Sequence, residues 1–370
     1  MNEKKITKLS IGVPRERRSN ESRVGLTTSA VQLLTADGHP CYVERGAGLG
    51  AGFSDDDYAK AGARIVYSGE EAYGRGDLVL KVSRPTTEEL PWMRDGQAVA
   101  AFWHLASASP DNLETLLKKK ITAITLETIQ EDDGTLPVLT PMSQVAGRMT
   151  AKVAAALLRN DRGGKGILLG GVPGVPPAQV VILGAGVVGT YAARAFAALG
   201  ASVYALDKNI TRLEKLNEIE PHIITMISHP FNVSKVVTFA DVLVGAVLLP
   251  GARTPIVVTK EMVRTMRPRS IIIDVSIDQG GCIETSRPTT HQTSTFIAEN
   301  MIHYCVPNMT GVLGRTATHS LNNATWPFIL LIMDVCVEAA TAQNKALARG
   351  IATHNGKIVS SALGGEGVRS

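Results

Sequence analysis

Cysteine and runs of like charge are scarce in this 370-residue sequence, and each absence excludes a class of protein. The four cysteines lie far apart and form no CxxC pair, so we predict no disulfide framework and no zinc or other metal site. The net charge of +4 comes from interspersed Lys and Arg, which predicts no nucleic-acid partner. We expect reduced, mostly buried thiols of a cytoplasmic protein at Cys41, Cys282, Cys305 and Cys336.

Long uninterrupted apolar runs are also missing. The first residues, MNEKKITKLSIGVP, lack the apolar core of a signal peptide. Of the two most apolar stretches, 180–207 is interrupted by clustered glycines and Arg194, and 326–342 is short and carries Asp334 and Glu338. We therefore expect no membrane span and no membrane partner.

The sequence does contain a repeated alternation of apolar runs with helical segments. Its 44% hydrophobic and 19% charged residues predict an ordered globular chain, and its length favours two domains. One βα series runs from residue 9, a long helix after Pro141 marks a crossover, and a second series follows. The mainly helical segment after 310 is too short for a domain. We predict an α/β fold of two doubly wound domains, one discontinuous (1–138 and 310–370) and one a Rossmann domain (139–309).

One stretch, VVILGAGVVGTYAARAFAALGASVYALD at 180–207, contains a glycine-rich turn. Gly184, Gly186 and Gly189 match GxGxxG between a strand and a helix pattern, and a second strand ends at Asp207. The first glycine permits a tight turn, the second lets the backbone approach a pyrophosphate, and the third lets helix and strand pack closely. Asp207 would bond ribose hydroxyls and repel a 2′-phosphate. The pattern predicts a site for NAD rather than NADP; the alternative is a βα turn that binds nothing.

Four polar residues follow or end predicted strands, where parallel sheets bind their ligands. Arg23 and Lys81 would hold a carboxylate, Arg23 by its bidentate fork and Lys81 as a point charge. His104 and Asp278 have the chemistry of proton carriers. Position alone leaves each role open, because a lone charged residue is usually on the surface and Asp274 is as polar as Asp278.

Eight segments follow one another in a familiar order between about residues 10 and 355: IGVPRERRSNESRVGLTTSAVQLLTADGH, DLVLKV, HLA, PMSQVAGR, GGVPGVPPAQVVILGAGVVG, GAVLLPGARTP, DQGGCIETSRPTTH and HYCVPNM. Together they resemble the alanine dehydrogenase and pyridine nucleotide transhydrogenase family, and within it the alanine dehydrogenases. The DQGGC segment is among the most specific to this family.

The resemblance implies oxidative deamination of L-alanine by NAD to pyruvate and ammonium, and the reverse reductive amination. It implies two α/β domains with a cleft between them, assembled as a homohexamer. The resemblance also implies that Arg23 and Lys81 bind the substrate carboxylate and that His104 and Asp278 transfer protons. It does not decide which of these two residues carries each proton step. Further implied cofactor contacts are Ser143, Val188, Gly189, Asp207, Arg212, Leu248, Leu249, Ile277, Arg287, Asn308 and Met309.

The chain departs from the family pattern at three places. Gln144 stands where Glu is usual, and Ser83 and Arg84 stand where Lys-Glu is common. The segment 306–316 gains Pro307 and lacks the family's prolines at 310 and 314. Because proline restricts φ and glycine frees it, we predict a looser lid and activity on substrates slightly larger than alanine.

Three other functions stay open on the sequence alone. A dehydrogenase for another small 2-oxo or 2-amino acid would use the same residues. The soluble NAD(H)-binding subunit of a proton-pumping transhydrogenase would share the fold, but carries R-x-Q-S-x-D where this chain has PMSQVAGR. A structural or regulatory paralogue would not need the four polar residues. Turnover of an amino acid by the isolated chain separates an enzyme from the last two.

Overall fold

Two compact units make up the computed structural model of the chain. Unit 1 comprises Met1–Met142 and Gly311–Ser370, and unit 2 comprises Ser143–Thr310. The structure describes residues 8–105, 110–248 and 253–359. The borders between the units follow residues 142 and 310, where the sequence analysis placed them after 138 and 309.

Both units contain short strands. In chain order they are β1 (Ile11–Val13), β2 (Cys41–Glu44), β3 (Arg64–Val66), β4 (Leu78–Ser83), β5 (Ala98–Phe102), β6 (Thr122–Thr125), β7 (Gln179–Leu183), β8 (Ser202–Asp207), β9 (Ile224–Ile227), β10 (Val242–Gly245), β11 (Ile271–Asp274), β12 (Thr295–Ala298), β13 (Met301–Tyr304), β14 (Ile351–His354) and β15 (Lys357–Ile358).

The helices of the described residues lie between the strands in chain order. In chain order they are α1 (Thr28–Ala36), α2 (Asp55–Lys60), α3 (Gly69–Arg75), α4 (Pro110–Lys118), α5 (Leu139–Leu157), α6 (Val187–Ala198), α7 (Ile210–Ile219), α8 (Pro230–Val237), α9 (Lys260–Arg264), α10 (Gly314–Gln343) and α11 (Lys345–Arg349). Several begin at a side-chain cap: Thr27 accepts from Ala30 N before α1, and Ser54 and Asp57 form a capping box at α2.

Unit 1 is built on an eight-stranded sheet in the order β15-β14-β6-β5-β4-β1-β2-β3. The strands β1 to β6 pair in parallel, whereas β14 and β15 are antiparallel additions at one edge. Alternate residues of β4 enter two different hydrophobic clusters, Leu78 and Leu80 one and Val79 the other. Both faces of the sheet are therefore covered, which explains why its strands are continuous apolar runs.

Unit 2 is built on a seven-stranded sheet in the order β12-β13-β11-β10-β7-β8-β9. All neighbours are parallel except β12, which runs antiparallel to β13. Along β7, Val180 and Ile182 enter one cluster and Val181 and Leu183 the other. Two sheets with helices on both faces confirm the predicted α/β class with two doubly wound domains.

Local details differ from the sequence-based expectations. Helix α5 begins at Leu139, so Pro141 lies in its first turn, where a missing N–H is tolerated. Strand β9 lies in an apolar run of the sequence, yet it is an edge strand whose Ile224 and Ile227 are exposed. The four cysteines are free, and three are buried while Cys336 is exposed.

Helix α10 is the one helix in the described ranges that is long and apolar enough, by length and composition, to cross a membrane. Its residues Leu321, Phe328 and Ile332 belong to a hydrophobic cluster of unit 1. The core helix of a globular domain can have the same length and composition, so α10 is weak evidence for a membrane span.

Candidate functional site

The glycine-rich turn between β7 and α6 has the geometry that its spacing predicts. Gly184 has φ +101°, and a Cβ there would lie 2.4 Å from the Ala246 carbonyl oxygen. A Cβ on Gly189 would lie 1.7 Å from the Gly184 oxygen, so only glycine lets helix and strand pack here. At Gly186, by contrast, the nearest atom beyond the adjoining residues is Arg212 Nη1, at 4.0 Å. The second glycine therefore leaves room for a ligand at the backbone.

Helix α6 starts directly after this open position. Its N-cap, Gly186, has no side chain that could occupy the first helical N–H groups. Backbone N–H groups and the positive end of the helix dipole are the usual anchor of a pyrophosphate. The residues present therefore fit a dinucleotide such as NAD.

Asp207 ends β8 beside the turn and is buried. One carboxylate oxygen accepts from Ala185 N at 2.7 Å and the other from Asn209 N at 2.8 Å. Arg212 Nη1 lies 3.7 Å from Asp207 Oδ2. Since a carboxylate has about four acceptor positions, these bonds orient Asp207 and still leave acceptor capacity for ribose hydroxyls.

The two aspartates that the sequence could not separate have different surroundings. Strand β11 ends at Asp274, which is 1% exposed and accepts from the backbone N–H groups of Ser276, Cys282 and Ile283. Burial raises the pKa of Asp274, and its hydrogen bonds oppose that rise. Asp274 therefore holds the loop together.

The sequence pattern predicted that the strand ends at Asp278. The strand ends four residues earlier, and Asp278 lies in the 3-10 helix Val275–Gln279. It is exposed, and its Oδ1 accepts from Asn308 N at 3.1 Å. Asn308 has φ +51° and follows β13, the parallel neighbour of β11. Two of the predicted residues thus meet at the carboxyl ends of adjacent strands.

The other predicted cofactor residues of unit 2 lie on helices and on the loops that follow strands. Arg287 stacks on the Phe296 ring with its guanidinium carbon 4.3 Å from the centroid, and Leu248 is 44% exposed after β10. Leu249 lies outside the described residues. The remaining ones are Ser143 on α5, Val188 on α6, Ile277 beside Asp278, and Met309 beside Asn308.

An open cavity of about 910 Å³ lies at the other edge of the unit 2 sheet. Its lining includes Gln179, which begins β7, Asp241, which precedes β10, and the ion-paired Lys165. It contains none of the predicted site residues. Ligands of parallel sheets bind at the carboxyl ends of the strands, so we place the functional site at the glycine turn and not in this cavity.

In unit 1, Arg23 is 4% exposed and its guanidinium binds a carboxylate of the same chain. Glu21 accepts from Arg23 Nε at 2.6 Å and from Nη2 at 2.5 Å. Arg23 Nη1 lies 3.4 Å from Met142 Sδ. Glu21 thus engages the Nε–Nη2 edge of the guanidinium fork.

Lys81 lies inside β4, two residues before its end, and is 1% exposed. Its Nζ is 2.7 Å from Glu89 Oε1 and 3.2 Å from Glu16 Oε2. Burial by itself would lower the pKa of Lys81, but the two carboxylates outweigh it and raise that pKa. Burial raises the pKa of Glu16, and Lys81 opposes this while Glu21 and Glu89 add to it. Glu16 therefore holds a proton more readily than an exposed glutamate does.

The end of β4 links three of the predicted residues to one another. Ser83 Oγ donates to Glu21 Oε2 at 2.8 Å, and the Val82 amide donates to Glu16 at 2.7 Å. Arg84 Nη1 donates to the carbonyl oxygen of His104 at 3.2 Å. The positions where the sequence departs from the family pattern, Ser83 and Arg84, are thus the connectors of this cluster.

Sequence reasoning missed the acidic partners of the predicted cations and of His104. They are Glu16, Glu21, Glu89 and Glu127, and Glu127 accepts from His104 N at 2.6 Å. Glu16 and Glu21 stand beside Arg23 within the first family-like segment, which was a usable signal. Glu89 and Glu127 lie in separate segments, and nothing in their local pattern marks them.

The segment 306–316, for which the sequence predicts a looser lid, has regular structure and close contacts on its carboxyl side. Residues Met309–Val312 form a 3-10 helix, and the Gly311 oxygen accepts from Ser22 N at 2.9 Å. A Cβ on Gly314 would lie 2.3 Å from the Gly50 oxygen. Glycine at 314 therefore serves close packing within unit 1, and a proline there would clash.

Two doubly wound units, one with a complete GxGxxG turn, are typical of NAD-dependent α/β dehydrogenases. Family models narrow this class: residues 12–146 match "Alanine dehydrogenase/PNT, N-terminal domain" and residues 150–361 match "Alanine dehydrogenase/PNT, C-terminal domain". The chain belongs to the alanine dehydrogenase/PNT family.

Similar proteins cover nearly the whole chain. An alanine dehydrogenase of Methanococcus maripaludis is 45% identical over 95% of both chains, and one of Bacillus subtilis is 46% identical over 95% of this chain and 93% of its own. A solved L-alanine dehydrogenase superposes with a TM-score of 0.91 at 42% identity, covering 96% of this chain and 98% of that one. A solved transhydrogenase from Sinorhizobium meliloti, at 23% identity and a TM-score of 0.81, shares the fold.

Proposed function

We propose that this chain is an NAD-dependent oxidoreductase that deaminates L-alanine to pyruvate and ammonium and catalyses the reverse reductive amination. The observation that carries this proposal is 45% identity over 95% of the chain with an alanine dehydrogenase, together with the intact glycine turn. A soluble transhydrogenase subunit is the weaker alternative, because the transhydrogenase similarity extends to the fold alone.

Unit 2 would bind the cofactor. The pyrophosphate would lie over Gly186 and the first N–H groups of α6, and Asp207 would accept from the ribose hydroxyls. NAD, when bound, supplies the hydride acceptor or donor of the reaction. The exposed Asp278 and its partner Asn308 would serve the reacting end of the site.

Unit 1 would bind and orient the substrate. We assign the substrate carboxylate to the Arg23 guanidinium. Lys81 would contribute its positive charge from within the Glu16–Glu89 cluster. Deamination requires protons to be removed from and returned to nitrogen and water, and His104 and Asp278 are the groups assigned to those transfers.

A coupled assay tests the proposal. Amino acids are supplied with NAD, and 2-oxo acids with ammonium and NADH, while NADH absorbance is followed; the panel includes serine and 2-oxobutyrate. We expect alanine and pyruvate to give the highest kcat/KM. His104→Ala and Asp278→Asn should each lower kcat by about 100-fold or more. Turnover confined to exchange between nucleotides, with none for any amino acid, would overturn the proposal in favour of the transhydrogenase alternative.

We further propose a homohexamer, as the family resemblance implies, and a cytoplasmic location, which the scattered cysteines favour. Sedimentation equilibrium of the purified chain measures the assembly directly. A monomer at micromolar concentration with full activity would contradict the hexamer.

A further inference from the structure

The backbone of His104 adopts a conformation that side-chain-bearing residues avoid. Its φ is +44°, in the left-handed region, two residues after β5 ends at Phe102. A non-glycine residue there costs about 1–3 kcal/mol and persists only where neighbouring groups hold it. The structure must therefore supply contacts that fix this peptide.

The Glu127 carboxylate supplies two of these contacts. Its Oε1 accepts from His104 N at 2.6 Å, and its Oε2 accepts from Trp103 N at 3.2 Å. Two successive N–H groups converging on one anion form a nest, a backbone shape that requires such a turn. The Glu127 side chain is 11% exposed, so water competes little for these charge-assisted bonds.

The order of strands explains how Glu127 reaches this position. Strands β5 and β6 are parallel neighbours, with Ala101 opposite Thr125. Glu127 lies two residues beyond the end of β6, in the 3-10 helix Leu126–Thr128, as His104 lies two beyond the end of β5. The register of the sheet thus brings the carboxylate to the amide without any long-range loop.

A further contact to the His104 peptide comes from the end of β4, the other neighbour of β5. Arg84, directly after β4, donates from Nη1 to the His104 carbonyl oxygen at 3.2 Å. The imidazole itself is 48% exposed and stacks on Phe102, with ring centroids 6.2 Å apart. Its Nδ1 is 3.9 Å from Glu127 Oε1, which is longer than a hydrogen bond. The hydrogen bonds from this segment to Glu127 described above therefore come from the backbone.

We infer that Glu127 is a positioning residue: its carboxylate fixes the left-handed backbone of His104, and proton transfer by the His104 imidazole depends on that fixed placement. This inference rests on the proposed function, in which His104 carries a proton. It assigns Glu127 no contact with substrate or cofactor.

A double-mutant cycle tests the inference. In Glu127→Gln one acceptor oxygen is replaced by an NH2 group that would face a backbone N–H. We expect kcat for alanine oxidation at saturating substrates to fall at least tenfold, while the Kd for NADH stays within about twofold. In a His104→Ala background, Glu127→Gln should lower kcat no further. Glu131→Gln, at an exposed position of the same loop, is the matched control and should leave kcat unchanged.

Each possible result bears on a different claim. If His104→Ala lowers kcat and Glu127→Gln does not, the positioning role is wrong and the proposed function stands. If His104→Ala leaves kcat unchanged, the proposed catalytic role of His104 fails, and the inference fails with it. An equal loss from Glu127→Gln in both backgrounds also overturns the inference. Should Glu127→Gln not fold, Glu127→Asp, which keeps both oxygens on a shorter side chain, enters the same cycle under the same criteria.

Discussion

The glycine turn of unit 2 and the charged cluster of unit 1 hold their functional groups by different means. The turn consists of backbone: Gly184 and Gly189 pack against carbonyl oxygens, and Gly186 leaves open space. The cluster consists of buried side chains, in which Lys81 faces two glutamates and Arg23 faces a third. Substitutions that add atoms disrupt a site made of closely packed backbone. Substitutions that change the charge disrupt a cluster of buried ionic side chains. The two regions should therefore respond differently to substitution.

The largest effect is expected in the charged cluster. Lys81→Met would leave Glu89 buried beside Glu16 without a cation, and removing one partner of a buried ion pair typically costs about 3–5 kcal/mol. We expect the free energy of unfolding of the cofactor-free protein to fall by that amount, measured by urea titration. Lys118→Met, at an exposed position, is the control. A loss below about 1 kcal/mol would show that the cluster does not depend on charge balance.

The glycine turn should separate stability from binding. Gly189→Ala places a Cβ 1.7 Å from a backbone oxygen and should destabilise the protein by about 1–3 kcal/mol. Gly186→Ala meets no atom within 4 Å other than Arg212 Nη1, so unfolding should change by less than about 0.5 kcal/mol. Its Kd for NADH should nevertheless rise about tenfold, or about 1.4 kcal/mol. Calorimetry measures the stability of the two variants, and fluorescence titration measures their Kd for NADH. An unchanged NADH affinity in Gly186→Ala would show that the pyrophosphate does not bind at Gly186.

Cofactor preference depends on a side chain within the backbone site. Asp207→Asn removes the charge that repels a 2′-phosphate but keeps one acceptor for Ala185 N or Asn209 N. We expect the ratio of kcat/KM for NAD to that for NADP to fall about tenfold, or about 1.4 kcal/mol. Glu214→Gln, exposed on α7, should leave the ratio unchanged. Equal use of both nucleotides by the unaltered protein would contradict the assignment of Asp207.

The smallest effect concerns pH and the raised pKa of Glu16. Burial raises the pKa of Glu16 above its ordinary value of 4.5, with Glu21 and Glu89 adding to the rise. A carboxyl group with a raised folded-state pKa stabilises the fold fully below pH 4.5, and this contribution is lost as pH rises through the folded pKa. Glu16→Gln stays neutral at every pH and keeps one acceptor oxygen for Val82 N.

We therefore expect Glu16→Gln to unfold within about 1 kcal/mol of the unaltered protein at pH 5 and to gain relative stability as pH increases. Urea titrations from pH 5 to pH 9 measure the difference between the two proteins. A difference that stays constant or falls with pH would mean that Glu16 is already ionised in the folded chain.

Sequence patterns predicted the parts of the molecule that depend on local geometry. The spacing of Gly184, Gly186 and Gly189 predicted the turn, because the positive φ of Gly184 and the close approach of Gly189 to the Gly184 oxygen both arise within this short segment. The apolar runs predicted the buried central strands, because a strand that is covered on both faces is apolar along its whole length. The short strands β14 and β15 were missed, since β14 is defined by pairing with β6, more than 200 residues earlier.

The roles of Glu89 and Glu127 could not be predicted, because these residues meet their partners only in three dimensions. Glu89 lies after β4 and reaches back to Lys81, and Glu127 lies after β6 and reaches His104 on the neighbouring strand. The pair Asp274 and Asp278 illustrates the same limit: both are acidic residues near one strand end, and only burial distinguishes them. Local spacing does not encode which carboxylate meets which cation.

The pairing of β14 with β6 has a consequence for how the chain acquires its structure during synthesis. Unit 2 is continuous in sequence, whereas the sheet of unit 1 ends at β6 until Ile351 pairs with Ile124, and its core lacks α10 until residues 314–343 have been made. On the ribosome, unit 2 can therefore complete its fold while unit 1 still presents an unpaired strand edge and uncovered apolar side chains. Such surfaces promote aggregation, so the nascent first unit is the part of the chain on which chaperones should act.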